Sequence, residues 1–285
     1  MIEVKPFGDI IDKYQVVFFD AFGVLKNYNG LIPGIQGTLE YLKENDIDFY
    51  ILTNDASRSP QGLAKSYQEQ GVKDITSGRI ISSGMLAREY LGYKFRGGVV
   101  AYLGTESSAH YIESLGIQTI SIADVDLNKL DDVSALVLLD DEGFDWNSEI
   151  NKTINLLRYK NIPVIVANTD EAYPTSKREI AVAIGGIADM LEQVVGRKFM
   201  RFGKPDAQMF NFAYQHVLKT NNVSKHRVLM VGDTLETDII GGNKFGIDTA
   251  LVLSGNTLEE YVEARIRSTG IIPDYICDSA VIHQS

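Results

Sequence analysis

Four short polar stretches in this chain each follow or flank an apolar run, and their residue types could do chemistry. The first is Asp20, which directly follows the run Val16–Phe19 in QVVFFDAFGVL. A carboxylate at the end of a buried strand can act as a nucleophile or bind a metal, or it can simply satisfy the next turn. The other three stretches are Thr53 in LTNDAS, Lys204 in FGKPD, and Asp233 with Asp238 in VGDTLETD.

The elements that must position these residues are predicted to be the strands of a parallel sheet. The short continuous apolar runs at 16–19, 49–52 and 228–231 are typical of strands buried on both faces. They alternate with helical patterns, which predicts right-handed crossovers and strands that all end at one edge. Such an edge is where open α/β sheets bind ligands. Asp20, Thr53 and Asp233 are therefore expected to be neighbours, although they are far apart in sequence.

A second βα series begins at Gly97-Gly98 and contains apolar runs at 99–103, 135–139 and 163–167. A helix is predicted over Ile180–Val195, despite Gly185 and Gly186. We therefore expect an α/β protein with a Rossmann-like parallel-sheet core at 1–96 and 198–285. An α/β domain at 97–197 is expected to be inserted into it.

Each stretch taken alone also has a simple structural interpretation. Asp233-Thr-Leu-Glu236 is a plausible helix-capping pattern. Thr53 and Asn54 could be turn residues. Lys204 could be a solvated surface lysine.

The composition excludes several functional classes. Of the 285 residues 45% are hydrophobic, which is enough for a sizeable core, and the formal net charge of −11 repels nucleic acid and anionic membranes. No apolar run reaches the ~18 residues of a membrane span. With a single cysteine, Cys277, and no signal-peptide pattern, the chain is expected to be cytoplasmic. The four histidines, at 110, 216, 226 and 283, lack ligand spacing and are expected to be structural or exposed.

The stretches FFDAFGVL, LTNDAS, FGKPD and VGDTLETD occur in the order of the four motifs of the haloacid dehalogenase (HAD) superfamily of hydrolases, which the chain resembles over nearly its whole length. GDTLETD and the long middle insertion resemble subfamily IIA, the NagD-like sugar and nucleotide phosphatases. The resemblance implies a Mg²⁺-dependent phosphatase that acts on a small phosphorylated metabolite. It also implies that residues 97–197 form a cap, and because such caps can mediate pairing, a homodimer is one expected state.

The resemblance implies that Asp20 is the nucleophile and forms an aspartyl-phosphate. Asp20, the backbone carbonyl of Phe22 and Asp233 would bind Mg²⁺, which prefers hard oxygen ligands. Asp238 would hold a metal-bound water or orient a ligand.

By the same resemblance, three residues of the core would hold the phosphate group. The Thr53 hydroxyl and the backbone N–H of Asn54 would donate to it, and Lys204 would neutralise both the phosphate and the nucleophile. Asp170, in Asn168-Thr169-Asp170 at the end of a predicted strand of the insertion, could face the substrate or belong to a simple turn.

Phe22 is a departure from the family's phosphatases, which usually carry a second Asp two residues after the nucleophile. That acid protonates the leaving alcohol and then takes a proton from water, which Phe cannot do. General acid–base catalysis typically contributes about 10²–10⁴-fold. Slow hydrolysis of ordinary sugar phosphates is therefore expected unless another group substitutes.

Four explanations for Phe22 stay open. Asp55 or Asp170 could supply the proton, or the substrate could have a leaving group that needs none. The protein could also bind a phosphorylated ligand with little or no turnover. Haloacid dehalogenases often have an aromatic residue at this position and use no metal. Asp233 and Asp238 preserve a metal site that such an enzyme does not need, so dehalogenation ranks below phosphate chemistry.

Overall fold

The computed structural model describes residues 3–176 and 179–282. The chain forms two compact units, which are described separately. The first unit contains the residues up to Thr53, Pro60–Ile81 and those from Lys204 onward. The second unit contains Asn54–Ser59 and Ser82–Gly203.

The first unit is built around a sheet of six strands. Its strands are β1 (Val16–Phe19), β4 (Asp48–Thr53), β5 (Ile80–Ser82), β13 (Val228–Gly232), β14 (Asp248–Val252) and β15 (Tyr275–Cys277). They lie in the order β15-β14-β13-β1-β4-β5, and the pairings of β1 with β4 and β13, and of β14 with β13 and β15, are parallel. The predicted α/β class with a parallel sheet is confirmed.

Strand register places the polar strand ends together. All four residues of β1 are buried, as expected of a central strand with both faces covered. Phe19 lies opposite Ile51 on β4 and opposite Val231 on β13. The residues that follow, Asp20 among them, therefore emerge at the same edge of the sheet.

Helices of the first unit pack on this sheet through apolar stripes. In the second of them, Ile35, Leu39 and Leu42 recur at helical spacing and are buried. The helices are α1 (Gly8–Ile11), α2 (Ile35–Glu44), α3 (Pro60–Glu69), α8 (Ala207–Val217), α9 (Ile240–Phe245) and α10 (Glu259–Thr269), and a short hairpin joins β2 (Lys26–Asn27) to β3 (Gly30–Leu31).

The second unit contains a sheet of five parallel strands and a separate hairpin. The sheet strands are β6 (Val99–Leu103), β7 (Gln118–Ser121), β8 (Val133–Leu138), β9 (Val164–Val166) and β12 (Met200–Arg201), in the order β12-β9-β8-β6-β7. The hairpin pairs β10 (Ala172–Pro174) with β11 (Ile180–Val182). The helices are α4 (Ser83–Lys94), α5 (Glu106–Glu113), α6 (Trp146–Tyr159) and α7 (Ile184–Val195).

The second unit is larger than the insertion expected at 97–197. It also includes 54–59, 82–96 and 198–203, which the sequence analysis assigned to the core. Helix α4 packs with α5, because the absence of a side chain at Gly84 leaves room for the Tyr111 ring: a Cβ there would lie 2.5 Å from the ring. No periodicity in the sequence marks this contact.

The helix predicted over Ile180–Val195 is wrong at its start. Ile180–Val182 is strand β11, and α7 begins at Ile184. The β-branched residues of this segment favour a strand, and it pairs with Ala172–Pro174. Gly185 and Gly186 lie at the start of α7. A Cβ at either position would meet backbone atoms of 169–171 at 2.5–2.6 Å, so no larger residue would fit there without a shift.

Within the part of the chain that the structure describes, no helix has the length and apolar character needed to cross a membrane.

Candidate active site

Lys204 lies at the centre of the polar cluster in the first unit. Its Nζ is 2.6 Å from Oδ1 of Asp20 and 2.7 Å from Oδ1 of Asp238. The Lys204 side chain is only 2% exposed, so its interpretation as a surface lysine is wrong. A buried ammonium group is costly unless it is paired, and here two carboxylates pair with it. Pro205, joined to Lys204 by a cis peptide bond, precedes the N-cap Asp206 of α8.

Three carboxylates surround this lysine. Ligand oxygens of Asp20, Asp233 and Asp238 lie within 4.8 Å of one another. Burial, with the nearby Asp20 charge adding to it, raises the pKa of Asp233, and burial also raises the pKa of Asp238. With all three carboxylates ionised, the single ammonium would leave two negative charges unbalanced, and the raised pKa values express that cost. A divalent cation would balance this charge, and the hard oxygen donors are those that Mg²⁺ prefers. The residues present therefore fit a magnesium site.

Asp233 is held by hydrogen bonds to both of its carboxylate oxygens. Thr234 Oγ1 donates to Oδ1 at 2.9 Å, and the N–H of Asn256 donates to Oδ2 at 2.7 Å. Both bonds satisfy the carboxylate locally, and no side-chain cap bond is present at the N-terminus of the helical turn that follows. The capping interpretation of Asp233-Thr-Leu-Glu236 is therefore wrong.

Two glycines make room for Asp233. A Cβ at Gly23 or at Gly255 would overlap its Oδ2 atom. The sequence analysis gave neither glycine, nor Asn256, a place in this cluster. One signal was present, because Ser254-Gly255-Asn256 follows the apolar run of β14 as the other polar stretches follow theirs.

Asp238 is positioned by a π-helical turn, Leu235–Ile239, that precedes α9. Its side chain packs directly against Gly232, where a Cβ would overlap it. Its Oδ2 accepts the N–H of Thr234 at 3.2 Å, and its Oδ1 forms the ion pair with Lys204. Single π-type turns inside helices often occur at functional sites.

Phe22 lies two residues after Asp20 and is half-buried. The chain turns back just after it, since the N–H of Gly23 donates to the carbonyl of Lys26 at 2.7 Å. The positive φ of Gly23, 78°, suits this turn.

Thr53 and Asn54, adjacent in sequence, belong to different units. Thr53 is the buried last residue of β4, at the same edge of the sheet as Asp20. The Asn54 side chain is buried in the second unit, where its Nδ2 donates to Thr169 Oγ1 at 3.0 Å and to Asp170 Oδ1 at 2.8 Å. The structure thus brings Asn54 and Asp170 together in one unit, and Asp20, Lys204, Asp233 and Asp238 together in the other.

An acidic group in the second unit includes Asp55, Asp140 and Asp141. The Asp140 carboxyl accepts the N–H of Asp141 at 3.0 Å. Burial, followed by the charges of Asp141 and Asp55, raises the pKa of Asp140 to about 6. Asp140 is partly buried, whereas Glu142 in the same segment is exposed.

The described histidines stay outside these clusters. His216 Nε2 lies 3.0 Å from the Gly78 carbonyl oxygen, and His226 Nε2 lies 3.1 Å from Ser224 Oγ. The ring of His110 lies edge-on to Tyr111. His283 lies outside the described residues.

Comparisons with known proteins agree on one family. A model described as haloacid dehalogenase-like hydrolase matches residues 17–118, and a HAD-hydrolase-like model matches residues 201–280. A crystal structure from Cytophaga hutchinsonii, described as a possible sugar phosphatase of the HAD superfamily, is 56% identical, covers 100% of both chains and superposes with a TM-score of 0.96.

Two curated relatives are more distant. Chronophin of Bos taurus is 27% identical and covers 95% of this chain and 92% of its own. Glycerol-3-phosphate phosphatase of Gallus gallus is 25% identical and covers 95% and 91%.

Replacing Gly255 by Ala should destabilise the first unit by about 1–3 kcal/mol, because the added Cβ would overlap a carboxylate that Thr234 and Asn256 hold in place. Urea denaturation measures the change. Gly37→Ala is the matched control, since a Cβ there meets nothing within 4 Å and Ala is the better helix former, which should stabilise by up to about 1 kcal/mol. Equal effects of the two changes would contradict the packing argument.

Asp140→Asn should stabilise the protein at neutral pH by about 1–2 kcal/mol, allowing for partial exposure of the carboxyl. The folded-state pKa of Asp140, about 6, lies above the unfolded value of about 3.9. The folded state therefore binds the Asp140 proton more tightly than the unfolded state does. Proton binding at Asp140 stabilises the fold at pH 4 and below, and this stabilisation is lost as the pH rises from about 4 to above 6. Denaturation of both proteins at pH 4 and pH 7.5 measures the difference, with the exposed Asp131→Asn as control. An unchanged pH dependence in Asp140→Asn would contradict the assignment.

Proposed function

Because this chain belongs to the haloacid dehalogenase-like hydrolases and is a hydrolase of the phosphatase class, as its sequence predicted, we propose that it is a Mg²⁺-dependent phosphatase acting through an aspartyl-phosphate. The observation that carries the proposal is the pairing of buried Lys204 with Asp20 and Asp238, beside Asp233. The NagD-like branch, subfamily IIA, was also predicted correctly.

Asp20 is the proposed nucleophile. One of its carboxylate oxygens attacks phosphorus, and the bond from phosphorus to the leaving oxygen breaks with its electron pair on that oxygen. Water then attacks the phosphorus of the aspartyl-phosphate, which releases inorganic phosphate and restores the carboxylate. Splitting the reaction in this way replaces one difficult step by two easier ones.

Lys204 would offset the negative charges of Asp20 and of the phosphate. The 2.6 Å contact between Lys204 and Asp20 supports this role. The Thr53 hydroxyl would donate to a phosphate oxygen, and so would the N–H of Asn54, which belongs to the peptide group that follows β4. Asp170 is proposed to contribute to substrate binding.

Mg²⁺ would be held by Asp20, the Phe22 carbonyl and Asp233, and when bound it would screen the repulsion between Asp20 and the phosphate. Asp238 would act beside it, and its ion pair with Lys204 supports an orienting role.

The substrate is proposed to be a small phosphorylated metabolite such as a sugar phosphate. The descriptions of two relatives, a possible sugar phosphatase and a glycerol-3-phosphate phosphatase, support this class. The net charge of −11 argues against nucleic acid as a partner. Cytoplasmic location and a homodimer stay predictions from sequence.

A second candidate is a protein that binds a phosphorylated ligand with little turnover, and Phe22 is the observation that favours it. Phe22 cannot give a proton to the leaving oxygen, so an alkoxide would have to depart unprotonated unless another acid supplies the proton. Candidates for that acid are Asp55 and Asp170. Dehalogenation ranks lower, since the cluster of three carboxylates suits a metal that such chemistry does not need.

Asp20→Asn should abolish phosphate release from p-nitrophenyl phosphate, because the amide is a poor nucleophile. The fold should be retained, since the amide nearly matches the carboxylate in shape and Asp238 still pairs with Lys204, but the loss of one buried ion pair should lower the thermal unfolding temperature. EDTA should abolish the wild-type rate, and Mg²⁺ should restore it. The exposed Asp46→Asn is the matched control and should keep full activity. An Asp20→Asn protein with wild-type turnover would rule out the mechanism.

Phe22→Asp should speed hydrolysis of sugar phosphates by about 10²–10⁴-fold, the contribution typical of a general acid–base. The gain on p-nitrophenyl phosphate should be much smaller, since its leaving group needs no proton. Phe22→Asn is the matched control, because it has the size of Asp but cannot transfer a proton. Steady-state rates on both substrate types measure these differences.

If the wild type is already fast on sugar phosphates and Phe22→Asp gains nothing, another acid serves the reaction. If Phe22→Asp binds sugar phosphates by calorimetry but turns them over no faster than Phe22→Asn, the protein is a binding protein.

A further inference from the structure

The segment 54–59 follows the proposed phosphate-binding end of β4, yet it packs as part of the second unit. Helix α3 of the first unit begins directly after it, at Pro60. The chain joins the segment to the first unit at each of its ends, and the contacts described next hold it within the second unit.

Two buried hydroxyl groups bind the two ends of this segment. Ser83 Oγ, at the start of α4, donates to the Asn54 carbonyl at 2.8 Å. Tyr111 Oη, on α5, donates to the Arg58 carbonyl at 2.7 Å. Both donors are buried, with Ser83 0% and Tyr111 2% exposed. Leaving a buried hydroxyl without its partner is unfavourable, so each bond favours one position of the backbone.

Tyr111 is itself held rigidly. Its proton goes to the Arg58 carbonyl, so the 2.7 Å contact with Ser82 Oγ has Ser82 as the donor. The ring packs on Gly84, where a Cβ would lie 2.5 Å from it. Burial raises the pKa of Tyr111, which keeps the hydroxyl protonated as a donor.

The start of the segment has further contacts. The Asn54 side chain donates to Thr169 and Asp170. Within the segment, Ser57 donates both its N–H and its hydroxyl to Asp55 Oδ1, at 2.9 and 2.6 Å. The carbonyl and the side chain of Asn54 are thus both held by residues of the second unit.

We propose that Ser83 and Tyr111 are positioning residues for phosphate binding: they hold the 54–59 segment so that the N–H of Asn54 is aimed at the phosphate. This inference rests on the proposed function, which assigns phosphate to that N–H. Neither residue touches the substrate. Their hydroxyls act through the backbone carbonyls of Asn54 and Arg58, and they link ligand affinity to the packing of α4 and α5.

The test is Tyr111→Phe, which removes one hydroxyl and leaves the ring. We expect the Kd for inorganic phosphate, measured by calorimetry with Mg²⁺ present, to rise about 5- to 10-fold. The KM for p-nitrophenyl phosphate should rise by a similar factor with little change in kcat, because the contact serves the ground state and the transition state equally. Ser83→Ala should act in the same direction, and it decides the question if Tyr111→Phe does not fold.

Tyr14→Phe is the matched control. Tyr14 is also buried, and its hydroxyl donates to Asp248 Oδ2 at 2.6 Å. Asp248 is the first residue of β14, so this bond lies away from the carboxyl ends of the strands. The Tyr14→Phe protein should lose as much free energy of unfolding as Tyr111→Phe, with no change in the Kd for inorganic phosphate. Wild-type affinity in both Tyr111→Phe and Ser83→Ala would overturn the inference. Failure of the wild type itself to bind phosphate would instead contradict the proposed function.

Discussion

The rest of the site depends on one interaction, the pairing of the buried Lys204 ammonium group with carboxylates. An isolated charge in this position would be too costly to bury, and Asp20 and Asp238 offset that cost at 2.6 and 2.7 Å. A third carboxylate, Asp233, makes the cluster negative overall. A cation bound at this edge of the parallel sheet would therefore be stabilised by the negative charge of the cluster.

Glycine residues allow the carboxylates to lie so close together, because they have no side chains in the way. Gly23 and Gly255 approach Asp233 where no Cβ would fit, and Gly232 does the same for Asp238. Thr234 and the N–H of Asn256 then fix the orientation of Asp233. This close packing leaves the carboxylates little room to move apart, although the repulsion between their negative charges favours their separation.

The strand ends could be predicted from sequence because burial on both faces produces an unmistakable pattern. The runs at Val16–Phe19 and Val228–Val231 identified two central strands, and parallel topology then implied that Asp20 and Asp233 meet. Asn256 could not be placed in the same way, since its contribution is a backbone N–H that carries no residue-type signal. Ile180–Val182 was misassigned because a three-residue strand followed by a helix gives a continuous apolar pattern. The 54–59 segment is bound in the second unit by hydroxyl groups of α4 and α5, which are distant in sequence and which no local pattern records.

The chain passes between the two units at 53/54, 59/60, 81/82 and 203/204. The second unit is therefore not a single cassette that recombination could exchange among relatives at one entry and one exit. After transfer of 82–203 alone, Ser83 and Tyr111 would face backbone carbonyls of a different 54–59 segment. An exchange of this insertion would therefore have to preserve the fit between 82–203 and the separate segment 54–59.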